Sequence, residues 1–499
     1  MRTNVNKMDT IEITTLEGRV CGLVAQGLAT FRGVPFAEAP TGALRFRPPA
    51  PAKPRSDVLD ATVPAAVCPQ VPSRLAKVMG ECSAEQDENC LTVSIWAPAP
   101  FQRPRPILVW FHGGGYLSGG GSLPWYDGGA LARDNDIVVV GVNSRLGALG
   151  YLCHPGITDG NMGLLDQIQA LEWIAGNAAS FGGDPKCVTL MGQSGGAHSI
   201  TCMLAIPEAR QLMQRAILLS NPFALRPFSR DESIACANAF CANLAIDPNQ
   251  PDALTRLQSV PVGRILEATI ATLRGSTRSL GDPTPPFGPA ATGILPGGDA
   301  FLEAVRTGAG GIDAIIGSTA DEALAFYTFD PRFAGMSFDT LPRIAEALFG
   351  PSWQARINRA CHARPGATAL EVLSDAQTAH YFGEGVEELA SAIARGTGNV
   401  WVYRFDWASP GSSLGACHCI ELPFVFGTFD AFAKAPMLGC LDEKKRALSA
   451  CVQGVIARFV RDGVPTGDTL PHWPKFTRSL PTLLQINSVL TTGLARLPS

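Results

Sequence analysis

Short apolar runs rich in β-branched residues recur along the chain and alternate with stretches of helical spacing. Residues 164–179 are one such stretch, in which Ile168, Leu171 and Ala175 fall on one helix face. The predicted strands are 107–111, 137–143, 188–191, 216–220, 314–316 and 400–407. Parallel strands need crossover connections, which helices between apolar strands supply. The pattern therefore predicts an α/β fold with a mostly parallel central sheet and helices on both faces.

No internal repeat and no clear shift in composition divides the 499 residues. Residues 225–310 and 328–395 have largely helical patterns that Pro and Gly interrupt, as at Asp282-Pro283-Thr284-Pro285-Pro286. We expect these two segments to be insertions that cap the active site above the sheet. Because α/β folds often reach this length as one unit, we expect a single catalytic domain over residues 1–499.

The composition and charge of the chain indicate which kinds of binding partner to expect. Hydrophobic residues make up 46% of the chain and charged residues 17%, and the formal net charge is −4. Basic and acidic residues are interspersed, which argues against a nucleic-acid surface. No apolar run reaches the ~18 residues of a membrane span, since Arg145 interrupts the longest, and no signal-peptide core is seen. We expect a cytoplasmic protein that acts on a small molecule without nucleic acid or membrane; a secreted mature chain is the alternative.

Two segments match the pattern G-x-S-x-G, which places a serine on a sharp turn between a strand and a helix. Gly192-Gln193-Ser194-Gly195-Gly196 follows a predicted strand and precedes a helical run. Gly411-Ser412-Ser413-Leu414-Gly415 lies in a loop with no strand before it. Context therefore favours Ser194 as a nucleophile, and we interpret the second match as an ordinary loop.

A glycine triplet, His112-Gly113-Gly114-Gly115, directly follows the strand predicted at 107–111. Bare backbone N–H groups at such a strand end can stabilise the oxyanion of an acyl-transfer reaction. We expect Gly114, Gly115 and Gly195 to be the donors. The fourteen cysteines have no zinc-type spacing. Acyl transfer through a serine nucleophile needs neither a metal nor an organic cofactor, so we expect none.

Several longer segments in order resemble the type B carboxylesterase family, which includes cholinesterases and bacterial para-nitrobenzyl esterases. The segments are FRGVPFAEAP at 31–40, DENCLTVSIW at 87–96, GNMGLLDQ at 160–167, FGGDP at 181–185 and ELPFVFG at 421–427. The resemblance covers nearly the whole chain. It implies the α/β-hydrolase fold and a serine hydrolase that cleaves carboxylic esters.

The resemblance also supplies the partners of Ser194. The segment 317–322, GSTADE, is similar to the family's acid motif and places the acid at Glu322; the segment 416–421, ACHCIE, places the base at His418. Their order, serine then acid then histidine, is that of this fold. Three neighbours depart from the family pattern, since an acidic residue and two glycines are usual where Gln193, Ala323 and Cys419 stand.

The sequence indicates the substrate pocket and the disulfide bonds less directly than it indicates the nucleophile. Tyr116, Phe287 and Phe326 are candidates to line an apolar pocket, with ordinary packing as the alternative. The resemblance places a disulfide at Cys68 and Cys90, which a reducing cytoplasm would oppose. No aromatic residue lies between these cysteines, whereas cholinesterases hold a quaternary ammonium there, so a choline ester is not expected.

Two other functions stay open. The same apparatus could hydrolyse an amide or a carbamate. Some relatives of the family are binding proteins without the nucleophile, a class that the presence of Ser194 argues against.

Overall fold

The computed structural model describes residues 9–275, 278–467 and 470–494. Its strands form one thirteen-stranded sheet. They are β1 (Asp9–Thr15), β2 (Gly18–Ala25), β3 (Leu28–Pro35), β4 (Leu59–Asp60), β5 (Thr92–Pro98), β6 (Arg105–Phe111), β7 (Val138–Val142), β8 (Gly183–Gln193), β9 (Arg215–Leu219), β10 (Asp313–Thr319), β11 (Val400–Phe405), β12 (Thr482–Ile486) and β13 (Leu490–Leu494). All six predicted strands are present, and β8 begins five residues before its predicted start.

The sheet is parallel in the middle and antiparallel at its edges. The strand order is β1-β2-β3-β5-β7-β6-β8-β9-β10-β11-β12-β13, with β4 beside β2. Every pair from β7 to β12 is parallel. The first strands and the last pair form antiparallel hairpins or meanders, which short turns suffice to connect. The predicted mostly parallel sheet is confirmed.

The helices cover both faces of this sheet. They are α1 (Ala76–Met79), α2 (Gly129–Asn135), α3 (Gly147–Tyr151), α4 (Met162–Asn177), α5 (Gly195–Leu204), α6 (Pro207–Arg210), α7 (Arg230–Ala242), α8 (Ala253–Gln258), α9 (Val262–Arg274), α10 (Gly298–Ala309), α11 (Leu324–Tyr327), α12 (Leu341–Phe349), α13 (Trp353–Ala363), α14 (Ala369–Thr378), α15 (Glu384–Arg395), α16 (Leu422–Phe426) and α17 (Glu443–Asp462). A π-helical turn, Ala379–Gly383, joins α14 to α15.

Strand β6 shows why two cores form. Its alternate side chains point to opposite faces of the sheet. Val109 and Phe111 pack into one apolar core, whereas Leu108 and Trp110 pack into another. Each face must be covered by helices to keep these side chains from water, which accounts for the three-layer architecture.

The two predicted insertions are helical, as expected. Helices α7 to α10 lie within 225–310, and α12 to α15 lie within 328–395. The second segment contributes most of a third apolar cluster, which includes Leu341, Leu373 and Ala376. Their assignment to one domain with the rest of the chain stays a prediction.

Candidate active site

Ser194 stands on the turn between β8 and α5. Its φ of +54° and ψ of −122° are strained for a residue with a side chain. The turn is fixed by the Ser194 N–H, which donates to the Leu219 carbonyl of β9 at 2.9 Å. A strained strand-to-helix turn of this kind exposes a serine at the carboxyl edge of the sheet.

Glycine is required where this turn passes β6. A Cβ on Gly196 would lie 2.0 Å from the Phe111 carbonyl oxygen, a distance that real Cβ atoms do not adopt. The first turn of α5 can therefore approach the end of β6 only without a side chain at this position. This close approach brings Ser194 beside the glycine loop that follows β6.

The structure brings the three predicted oxyanion donors together. A Cβ built on Gly195 would lie 3.5 Å from the backbone nitrogen of Gly115 and 3.6 Å from that of Tyr116. Gly114 has a φ of +106°, a conformation that strongly favours glycine. The loop after β6 and the start of α5 thus lie close together.

His418 and Glu322 are paired and buried. The Nδ1 of His418 and the Oε2 of Glu322 share a hydrogen bond. The other Glu322 oxygen accepts a hydrogen bond from the Thr319 backbone N–H at 2.8 Å. Because two donors face its two oxygens, the carboxylate holds a fixed orientation toward the ring.

Asp321 connects the two loops that carry this pair. Its Oδ2 accepts a hydrogen bond from the Ala416 N–H at 2.9 Å, and its own N–H donates to the Ala416 carbonyl at 2.9 Å. Asp321 also forms an ion pair with Arg364. The chain around His418 is therefore held in register with the turn after β10 that carries Glu322.

The imidazole of His418 lies between two aromatic rings. Its centroid is 5.4 Å from that of Phe326 and 5.3 Å from that of Phe382, a residue of the π-helical turn. The Nε2 of His418 contacts the side-chain nitrogen of Gln193 at 3.1 Å. Ser194 and His418 line the same cavity, but the hydrogen bonds of the described residues do not include one between their side chains.

Two of the departures from the family pattern meet at this imidazole. Gln193 also lies 3.3 Å from the sulfur of Cys419, so these two residues contact each other. Cys419 adopts a φ of +74°, in the region where glycine is favoured. Its buried thiol has its pKa raised well above the ordinary value by burial and by the charges of Glu421 and Glu322.

Glu421 is a second buried carboxylic acid that the sequence reasoning did not single out. Ser220 Oγ donates to its Oε1 at 3.2 Å, while its Oε2 has no hydrogen-bond partner among the described residues. Burial, followed by the charge of Glu322, raises the pKa of Glu421 from 4.5 to about 7. The sequence contained one indication that Glu421 lies near the site, namely its position three residues after His418.

A cavity of about 400 Å³ opens over Ser194 and His418. This volume suits a small to medium organic ligand. Residues of both helical insertions, Leu225 and Phe382 among them, lie on its wall. Most of its wall is apolar, and the polar part includes the segment 70–86 as well as the glycine loop and His418.

The three candidate pocket residues separate into two groups. Tyr116 and Phe326 line the cavity. Phe287 does not: it is 2% exposed and packs edge-on against Phe240 with centroids 5.8 Å apart. The alternative of ordinary packing therefore describes Phe287, because its ring packs against Phe240 of α7 in the core.

The histidines nearest the site have structural partners. His198 accepts a hydrogen bond from the Tyr116 hydroxyl at 2.7 Å and donates to the Leu225 carbonyl at 2.9 Å. His112 donates to the Gly113 carbonyl at 2.7 Å. Burial lowers the pKa of each ring to about 4, so both are neutral at pH 7.

Cys68 and Cys90 lie in contact as free thiols. Both are buried. The hydrogen bond that the Cys90 thiol donates to Cys68, together with burial, raises the pKa of Cys90 well above its ordinary value. The possible disulfide between them is not formed in this structure, although the two side chains are neighbours.

The described ranges lack a metal-binding cluster and a membrane-spanning helix. Within residues 9–275, 278–467 and 470–494, no three His, Cys, Asp or Glu side chains are grouped so as to hold a metal ion. No helix in the same ranges combines the length and apolar character needed to cross a membrane.

Comparison with known proteins gives the family. The model of the carboxylesterase family matches residues 9–495. Phenmedipham hydrolase of Pseudarthrobacter oxydans is 37% identical over 95% of this chain and 94% of its own, and para-nitrobenzyl esterase of Bacillus subtilis (strain 168) is 33% identical over 96% and 95%. A Geobacillus stearothermophilus carboxylesterase structure superposes with a TM-score of 0.85 at 31% identity, covering 97% of each chain. The chain therefore belongs to the carboxylesterase family of α/β-hydrolases and is a serine carboxylic ester hydrolase.

Proposed function

We propose that Ser194, His418 and Glu322 form the catalytic triad of an esterase for small to medium organic esters. The observation that carries the proposal is that one cavity is lined by a serine on a strained strand-to-helix turn and by a histidine bonded to a buried glutamate. These are the roles of nucleophile, general base and orienting acid. We extend the proposal to a single catalytic domain.

In the proposed reaction, His418 Nε2 takes the proton of the Ser194 hydroxyl as its oxygen attacks the ester carbonyl. The bond to Glu322 keeps the ring proton on Nδ1, so that Nε2 has a free electron pair. The ring then gives the proton to the departing alcohol. Water, activated by the same Nε2, hydrolyses the acyl-enzyme and regenerates Ser194.

Gln193 occupies Nε2 before substrate binds, since its amide nitrogen lies 3.1 Å away. Hydrogen bonds of catalytic groups are often long or misdirected in unliganded enzymes and tighten in the substrate complex. We therefore assign the Gln193 contact to the resting enzyme. During the reaction, the Ser194 hydroxyl takes its place.

The proposed oxyanion hole consists of the backbone N–H groups of Gly114, Gly115 and Gly195. Gly195 lies beside Gly115, which supports a common target for these donors. Preorganised donors of this type stabilise the charge that develops on the carbonyl oxygen, and each contributes about 3 kcal/mol to lowering the barrier.

Hydrolysis of p-nitrophenyl butyrate tests the nucleophile. The second G-x-S-x-G match provides a matched control, because Ser413 lies exposed in a loop, as interpreted from the sequence. Ser194→Ala should lose at least about 10⁴-fold in kcat, whereas Ser413→Ala should keep the wild-type rate. Full activity in Ser194→Ala would refute the triad assignment.

Leaving-group chemistry separates ester hydrolysis from the alternative of amide or carbamate hydrolysis. Amines leave only when protonated, so an amidase must place His418 close to the departing nitrogen. A panel of the p-nitrophenyl ester and the p-nitroanilide of one acyl group, together with a p-nitrophenyl N-aryl carbamate, measures this directly. We expect the highest kcat/KM for the ester; a higher value for the anilide would favour the amidase alternative.

A further inference from the structure

Arg74 brings a positive charge into the cavity that holds Ser194. It belongs to the loop before α1 and lines the cavity wall. A Cβ built on Gly115 would lie 3.0 Å from its Nη2. Its guanidinium carbon is 5.9 Å from the centroid of the Phe326 ring, which in turn packs on His418. The guanidinium therefore lies beside Gly115, one of the proposed oxyanion donors. The ring of Phe326 contacts both the guanidinium and the proposed base, His418.

The guanidinium has no carboxylate partner among the described residues. One of its nitrogens donates to the Pro283 carbonyl at 3.0 Å. Asp282 is near enough to favour the charged form, but the ion pair of Asp282 is made with Arg278 at 3.7 Å. Glu81, which also lines the cavity, forms no ion pair with Arg74 in the described part of the chain. Several of the five guanidinium N–H donors thus remain available to a ligand.

Arg74 is accessible from the cavity while protein surrounds it. More than a third of its surface is exposed. Burial of the guanidinium among the cavity walls nevertheless lowers its pKa, an effect that Arg278 increases and Asp282 opposes. Both observations fit a side chain inside a deep open cavity. An arginine keeps its charge at neutral pH, and an unpaired charge in such surroundings interacts strongly with an anion.

We propose that Arg74 is the recognition residue for a carboxylate carried by the substrate, so that the preferred substrates are esters with a free carboxylate close to the scissile bond. The guanidinium fork matches a carboxylate in geometry and charge. Because Arg74 lies beside Gly115, that carboxylate would be joined to the ester group by a short linker. The inference rests on the proposed esterase function and specifies its substrate class.

Two ester pairs test this specificity. In the first, mono-p-nitrophenyl glutarate carries the carboxylate on the acyl half and is compared with its methyl ester. In the second, 4-acetoxybenzoate carries the carboxylate on the alcohol half and is compared with its methyl ester. We expect wild type to prefer the acid in one pair by about tenfold in kcat/KM. The pair that shows the preference identifies the half of the substrate that faces Arg74.

Three variants test whether Arg74 causes the preference for the acid over its methyl ester. Arg74→Gln should abolish the preference, so that the acid and its methyl ester have about equal kcat/KM, and Arg74→Lys should retain part of it because the charge remains. Lys77→Gln is the matched control, since Lys77 is exposed in α1, three residues away, and does not line the cavity. It removes the same charge and should leave the preference unchanged.

Salt provides a test that needs no variant. The preference of the wild type for the acid should fall as sodium chloride is raised, because salt screens the charge pair. The inference is overturned if wild type does not prefer the acid in either pair, or if Arg74→Gln slows acid and methyl ester equally. Neutral-ester hydrolysis that depends on Ser194 would in either case leave the proposed esterase function standing.

Discussion

Alanine at Gly114 and alanine at Gly115 should have very different effects, although the two glycines are adjacent. A Cβ on Gly114 would lie 1.9 Å from the Ser118 carbonyl oxygen, and the φ of +106° does not suit alanine. A Cβ on Gly115 would meet only Nη2 of Arg74 at 3.0 Å, and the φ of +59° is the left-handed region that alanine can enter. The first change must move the loop; the second need only displace a flexible side chain.

The magnitudes follow from these contacts. Moving the loop at Gly114 takes a backbone donor away from the oxyanion, which costs about 3 kcal/mol of barrier and therefore about 10²-fold in kcat. At Gly115 the left-handed alanine costs about 1–2 kcal/mol of folding free energy. Its N–H can keep its direction, so kcat should fall less than about tenfold.

The assay is steady-state hydrolysis of p-nitrophenyl butyrate, with the concentration of active sites determined from the acyl-enzyme burst. Circular dichroism and thermal unfolding check that each variant is folded. If folded Gly114→Ala keeps kcat within about threefold of wild type, its loop does not supply an oxyanion donor. An equal loss in both variants would likewise refute the steric argument.

Three further predictions concern stability. Because the folded protein raises the pKa of Glu421 from 4.5 to about 7, it binds that proton more tightly than the unfolded chain, and stability should fall as pH rises through this interval. In Glu421→Gln the melting temperature should fall less between about pH 5 and pH 8. Asp166→Asn should cost about 3–5 kcal/mol, since it leaves buried Arg145 without its ion pair at 2.6 Å; the melting temperature measures the loss. Mild oxidation should join Cys68 to Cys90 and raise the melting temperature, with about 3 kcal/mol expected from loop closure.

Each of these measurements has a control. Asp134→Asn removes half of an exposed ion pair with Arg133 and should change stability by less than about 1 kcal/mol; an equal effect at Asp166 would contradict the argument from burial. The same pH dependence in wild type and in Glu421→Gln would show that other groups cause it. The double serine variant of Cys68 and Cys90 should not respond to the oxidant, which peptide mapping verifies.

The local pattern of the chain determined the strands, the nucleophile turn and the glycine loop. These features depend on residues adjacent in sequence: β6 contains the apolar run 107–111, β8 contains the mostly apolar run 188–191, and each run is followed directly by its motif. The assignments of Glu322 and His418 came from the family resemblance. The resemblance was needed because no spacing rule connects residues on separate loops. The buried hydrogen bond between these two side chains supports the role proposed for each.

What only the tertiary structure decided is which side chains face the cavity. Phe287 and Phe326 are both aromatic residues in or near the insertions, yet one packs in the core and the other covers His418. The contact of Gln193 with the imidazole and the position of Arg74 beside Gly115 likewise join segments far apart in the chain. Sequence periodicity reports which face of an element is apolar, whereas the neighbour of that face is set by how the elements pack together.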